Sequence, residues 1–253
     1  MLNTAVFYYF SPTGGTKKAG ELLCRGLAAE VIPADLGARE AEVNSLEGDV
    51  TVFAAPVFGG RIPALMTKKL QQLDGRGKRA VVLVVYGNRA YDDALLELAD
   101  VVREQGYQVT AAAALVAQHS MVPEVGRGRP DEEDGLQIRS FAKKILAKMA
   151  DEDDSPVAVP GNFPYKKEMD IVATPLSLPA CTQCGSCAEA CPTQAIRPEE
   201  ESVVTEKAQC ILCMACTAAC PAQARVLPPP MVEKLTQMLA SVRDVRSGND
   251  FFF

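Results

Sequence analysis

No apolar run in these 253 residues approaches the ~20 that a membrane-spanning helix needs. The N-terminus enters Leu2–Tyr9 without a basic stretch followed by an apolar one. No secretory leader is therefore expected, and the expected location is cytoplasmic. There is one histidine, His119. No G-x-G-x-x-G turn with a downstream acidic residue occurs, so no dedicated nicotinamide domain is visible. Nothing resembles a nucleophile or a general acid–base pair. The composition carries no mark of disorder, collagen or a disulfide scaffold.

Charge adds a further exclusion. The formal net charge is −6. Residues 1–149 hold 18 basic and 18 acidic side chains, whereas residues 150–253 hold 8 and 14. The deficit lies wholly in the C-terminal part, which argues against nucleic acid as a partner and suits docking on a basic surface.

What is present is organised. Residues 1–150 alternate β-rich apolar runs with helical patterns. Ala5–Phe10, Val50–Ala55, Arg79–Tyr86 and Val109–Ala117 read as strands. Helical periods fall at Thr16 to about Ala29, near 62–73, near 91–105 and over Asp131–Ala150. Alternating strands and helices imply an α/β fold, with a parallel sheet covered on both faces. Residues 151–176 begin with four acidic residues and contain four prolines, which is the composition of a linker. Met231–Val242 reads as one closing helix.

Eight of the nine cysteines fall between residues 181 and 220. In a cytosolic protein this means metal or cofactor ligation rather than disulfides. The run C-x2-C-x2-C-x3-C-P occurs twice, 29 residues apart: Cys181, Cys184, Cys187 and Cys191-Pro192, then Cys210, Cys213, Cys216 and Cys220-Pro221. Gln194-Ala195 and Gln223-Ala224 continue the repeat, which implies two half-modules about a pseudo-twofold axis. Three cysteines spaced by two can direct thiolates to three corners of a cubane. A pair of zinc sites is the alternative, but zinc modules pair two C-x2-C knuckles and the lone histidine is remote. Cys24, in a helical pattern beside Leu22, Leu23 and Leu27, reads as a plain buried thiol.

The cysteine region resembles the bacterial-type two-cluster ferredoxins. In those proteins the fourth cysteine of each run ligates the other cluster. The resemblance therefore implies two [4Fe-4S] clusters, one on Cys181, Cys184, Cys187 and Cys220, the other on Cys210, Cys213, Cys216 and Cys191.

The turn after the first strand is Ser11-Pro12-Thr13-Gly14-Gly15-Thr16, at the start of a helix. Hydroxyls and free backbone N–H groups at a helix N-terminus form an anion site without a lysine. S-x-T-G-x-T at this place resembles the phosphate loop of flavodoxins. That resemblance implies FMN and a doubly wound, five-stranded parallel sheet, with two further loops around the flavin. Pro56-Val57-Phe58-Gly59-Gly60 offers Phe58 to one face of the ring. Gly87-Asn88-Arg89-Ala90-Tyr91 puts Tyr91 in the place of the tyrosine on the other face, and Asn88 where several flavodoxins carry an acidic residue. His119, past the last strand, is a candidate for the pyrimidine end of the ring.

Taken whole, the chain resembles the flavodoxin–ferredoxin fusion proteins of anaerobic bacteria. That implies a flavodoxin-like domain over 1–150, a linker over 151–176, and a small α+β ferredoxin-like domain over 177–253. Two functions fit: a carrier that passes electrons among FMN, the clusters and redox partner proteins, or an oxidoreductase that reduces a small acceptor at the flavin.

Overall fold

The computed structural model describes residues 1–38, 43–200 and 202–253. Five parallel strands form its frame: β1 (Leu2–Tyr9), β2 (Ala28–Asp35), β3 (Val50–Pro56), β4 (Arg79–Tyr86) and β5 (Gln108–Val116). Their spatial order is β2-β1-β3-β4-β5, which is the flavodoxin-like winding. Four helices cover it: α1 (Gly15–Leu27), α2 (Ala64–Leu70), α3 (Ala94–Glu104) and α4 (Glu132–Ala150). The strands β3 and β4 are apolar on both faces because each face meets helices. Phe7, Val52 and Leu83 pack with α1 and α4 on one side, and Phe53, Val82 and Leu98 with α2 and α3 on the other. Truncating one such residue, Leu98→Ala for example, costs about 2–5 kcal/mol.

Helix α1 stops at Leu27, two residues before the point its periodicity suggested, because Ala28 already starts β2 in extended geometry. Helix α4 begins with a reciprocal capping box between Asp131 and Asp134. Asp134 is fully buried and takes the Arg129 guanidinium as its partner.

The second module is a set of short pieces: β6 (Leu176–Ser177), α5 (Ser186–Glu189), β7 (Ile196–Pro198), β8 (Val203–Thr205), α6 (Ala215–Ala218), β9 (Arg225–Val226) and α7 (Pro229–Met238), followed by a 3₁₀ turn at Ala240–Val242. β6 pairs with β9 and β7 with β8, both antiparallel. The 29-residue repeat reaches the backbone. Gln183 and Leu212, Gly185 and Met214, and Gln194 and Gln223 all share positive φ angles between 50° and 82°. For non-glycine residues this backbone costs on the order of 1 kcal/mol each. One core of the module joins Cys187, Cys191 and Cys216 with Ala195, Ile196 and Val203, and a second joins Leu212, Met214 and Leu227. Cores this small leave the module dependent on what the cysteines bind.

Two segments are settled by the fold. Residues 151–176, a linker in composition but too long to be inert by default, wrap on the first domain. They form a strap over the α3 side of the first domain. Val157 is buried, and its carbonyl accepts from Arg103 Nη2 at 2.6 Å. Asp93 accepts from the N–H groups of Asn162 at 2.9 Å and Lys166 at 2.7 Å. Tyr165 donates to Asp100, and Arg61 to the Lys166 carbonyl.

The second segment is a sixth strand, beyond the five expected. β10 (Asp250–Phe252) adds antiparallel to β5, so the C-terminal residues leave the cysteine module and complete the sheet of the first domain. The cause is side-chain chemistry. Asn249 Oδ1 accepts from Val116 N at 2.9 Å, and Phe251 and Phe253 pack on Phe141 at ring-centroid distances of 4.8 and 5.1 Å. The added strand covers an edge that would otherwise be open.

Candidate functional site

The β1–α1 turn is built to receive an anion. Gly14 takes φ 87°, closed to most side chains, and its N–H bonds the Ser11 carbonyl at 3.3 Å. Ser11 Oγ accepts from Lys17 N at 2.9 Å. The N–H groups of Gly15 and Thr16 lie in the first turn of α1, where no intrahelical partner exists. The nearest ammonium groups are turned elsewhere: Lys18 Nζ donates to the Pro130 carbonyl, and Lys17 pairs with Glu21.

Above this turn lies an open cavity. Thr13, Gly15, Thr16, Pro56, Val57, Phe58, Gly87 and His119 line it. An adjoining chamber shares Val57, Phe58, Gly87 and His119 and extends past Gly59 and Gly60 to Met121, Met169, Leu235 and Met238. The three expected loops therefore converge on one space. Phe58 is fixed in its wall by paired backbone bonds with Arg61 and by an edge contact to Phe10 at 6.3 Å. His119 Nδ1 accepts from Met121 N and Val122 N, both at 3.2 Å, which leaves the proton on Nε2. Burial, with Arg89 nearby, lowers the His119 pKa, so the ring is neutral. Gly87 is required by closeness: a Cβ there would stand 2.4 Å from His119 Cδ2.

Four expected residues are placed differently. Ser11 faces a separate groove, and Gly14 serves the turn without lining the cavity. Asn88 is fully buried. Its Nδ2 donates to the carbonyls of Val242 and Val245 at 2.8 and 2.7 Å, and its Oδ1 accepts from Ser247 N. Tyr91 lines neither space, and its hydroxyl donates to Asp250 at 2.9 Å. The physical reason is common to Asn88 and Tyr91: the C-terminal segment occupies that side of the loop and captures their polar groups. The tyrosine that does line the cavity is Tyr86, the last residue of β4, packed edge-on to Tyr91 at 5.3 Å. Its position at a strand's C-terminal end, where α/β sheets bind ligands, is the signal that could have found it.

The cysteines form a second site. Cys191, Cys210, Cys213 and Cys216 together line one small void. The first triple brings its fourth cysteine to the second triple, across the pseudo-twofold. Ala195 N donates to Cys191 Sγ and Ala224 N to Cys220 Sγ, each at 3.2 Å, again at the repeat offset. Burial pushes the Cys213 thiol up to about 12. Such a thiol becomes a thiolate only when a metal takes the proton's place. Among the described residues no three His, Cys, Asp or Glu side chains crowd around a point suited to one metal ion. A cubane holds its four ligands farther apart than a single ion does, and the donor set is all sulfur. Arg225 Nε is a buried donor without a partner on the same side of the module. An anionic iron–sulfur cluster fits these residues.

Cys213 lines the cavity above the β1–α1 turn as well as the cysteine void. One side chain thus borders both spaces. At the opposite extreme, Cys184 is exposed.

Residues 176–233 match the 4Fe-4S dicluster domain family. Among curated protein sequences none matches the chain. Solved structures similar to it include the oxidised flavodoxin 1 of Bacillus cereus, at 16% identity over 57% of this chain and 98% of that one, TM-score 0.44. The flavodoxin of Streptococcus pneumoniae TIGR4 overlaps at 19% identity over 57% and 99%, TM-score 0.43. Rubredoxin oxygen:oxidoreductase of Desulfovibrio gigas overlaps at 15% over 58% of this chain and 37% of that one, TM-score 0.40. The fold assignment rests on the strand order. A flavodoxin-like sheet joined to a 4Fe-4S dicluster region is an electron-transfer architecture. Among the described residues, no helix is long and apolar enough to cross a membrane.

Proposed function

We propose that this chain carries electrons between an FMN in the cavity above the β1–α1 turn and two [4Fe-4S] clusters in the cysteine module, and on to redox partner proteins. The observation that carries the reading is Cys213, shared by both spaces. FMN exchanges two electrons in single steps and each cluster exchanges one.

The residues divide the work. The Gly15 and Thr16 N–H groups and the Thr13 hydroxyl receive the phosphate. Phe58 and Tyr86 bound the ring space, and His119 offers an Nε2 proton to it. Cys210, Cys213, Cys216 and Cys191 hold the cluster next to the flavin. Cys181, Cys184, Cys187 and Cys220 hold the outer one, where exposed Cys184 gives a partner access. The strap and β10 belong with 1–150 as one folding unit, which keeps the two spaces in register.

The test is the absorption spectrum of anaerobically purified protein before and after dithionite. Flavin bands on a broad, bleachable background, with iron, sulfide and FMN by analysis, are expected; a colourless, zinc-containing protein refutes the reading. The apolar lining of the adjoining chamber, with Met121, Met169, Leu235 and Met238, favours a second reading, turnover of a small apolar acceptor at the flavin. Reduction of a quinone without a partner protein distinguishes it.

A further inference from the structure

Arg225 stands where the internal repeat breaks. Its counterpart 29 residues earlier is Ile196, and both are buried, at 3% and 7% exposure. Four contacts hold the guanidinium. Nη1 donates to Ser177 Oγ at 2.9 Å and the Val203 carbonyl at 3.3 Å; Nη2 donates to the Pro175 carbonyl at 2.9 Å and to Thr205 Oγ1. Every one of these partners is neutral. Nε is buried and has none. Among the described residues no carboxylate pairs with it; the nearby acidic Glu199 and Glu206 pair with Arg197 instead.

A buried guanidinium without a counter-charge costs several kcal/mol. The negative charge available on this side of the module is at the cysteines. Two of its partners, Pro175 and Thr205, line the void together with Cys191, Cys210, Cys213 and Cys216. A third, Val203, packs in one cluster with Cys187, Cys191 and Cys216. The guanidinium is thereby anchored to the wall of the void that the second triple and Cys191 share.

We infer that Arg225 is a redox-tuning residue: a fixed positive charge that makes the cluster on Cys210, Cys213, Cys216 and Cys191 the easier of the two to reduce. The inference rests on the proposed cluster assignment. Uptake of one electron adds one negative charge and breaks no bond. A guanidinium in a low-dielectric interior, held at the wall of the cluster void, stabilises that added charge. At the counterpart position Ile196 offers none, so the two half-modules, alike in their ligands, differ in potential. The cluster beside the flavin then holds the electron more firmly than the outer one.

The test is an EPR-monitored electrochemical titration of the full chain, with iron and sulfide measured on each sample. Wild-type protein is expected to show two one-electron waves. In R225Q the upper wave moves down by at least tenfold in the reduction equilibrium, which is ~59 mV for one electron. R225K keeps the charge and is expected to keep most of the separation. Full iron and sulfide content in R225Q with both waves unmoved overturns the inference alone. Should R225Q fail to assemble, the wild-type titration decides: a single wave from two equivalent clusters overturns it. Protein holding zinc in place of iron and sulfide removes the cluster assignment and this inference with it.

Discussion

Replacing Gly87 by alanine tests the flavin cavity at the point where its geometry is tightest. The new Cβ would meet His119 at Cδ2, Cγ and Cβ, at 2.4, 2.9 and 3.0 Å. A flexible side-chain end could swing away, but these atoms include the root of the ring. The ring is also pinned by the N–H groups of Met121 and Val122. Either the loop shifts or His119 is driven into the cavity it lines. Overpacking of this kind costs about 1–3 kcal/mol. If that strain is borne by the cavity, FMN affinity falls by about 5- to 150-fold. The assay is quenching of FMN fluorescence on titration with apoprotein, with thermal melts of the same samples. The double variant G87A/H119A removes the clash and is expected to recover affinity relative to G87A, beyond what the single variants would give by addition. Unchanged affinity and melting temperature in G87A would refute the packing argument, and additive losses in the double variant would place the effect outside the Gly87–His119 contact.

Three further outcomes are expected. Deleting residues 249–253 removes the sixth strand and its packing on Phe141, with a loss on the order of 3 kcal/mol and a melting temperature lower by on the order of 10 °C; differential scanning calorimetry reads it, and an unchanged melt would mean the strand adds nothing. C191A is expected to remove the EPR signal of the cluster held by Cys210, Cys213 and Cys216 and leave the other; loss of the other signal instead would break the crossed assignment. Acid stability depends on Asp131, which the Arg246 guanidinium, at 2.7 Å, holds below the usual carboxylate range. A depressed folded pKa gives stability that is present above the unfolded value of ~3.9 and lost as pH falls through the folded one. Urea midpoints measured from about pH 6 down to about pH 2.5 are therefore expected to fall more steeply in the wild type than in D131N; parallel curves would show that the ion pair contributes nothing.

Local chemistry made much of this protein legible in advance. The cysteine spacing, the glycine-bearing turn after the first strand and the apolar runs of β3 and β4 are short-range patterns, each tied to one physical demand. The length of residues 151–176 already spoke against a free linker, but the path of the strap was hidden. What fixes it is a set of long-range bonds to Asp93, Asp100 and Arg61 that no local pattern contains. The misplacement of Asn88 and Tyr91 has the same origin. Both lie in the expected loop, but their partners, Val242, Val245, Ser247 and Asp250, arrive from 154 to 159 residues away.

By itself the sequence determined the two cysteine runs and the loops, because thiolate spacing and backbone freedom are properties of a few consecutive residues. The tertiary structure alone decided that Cys213 borders two cavities, that three C-terminal residues close the sheet, and that Arg225 lies buried beside the second triple where its repeat partner is isoleucine. Those are relations between distant segments, set by packing and by the need to satisfy buried polar groups, and they exist only once the chain has folded.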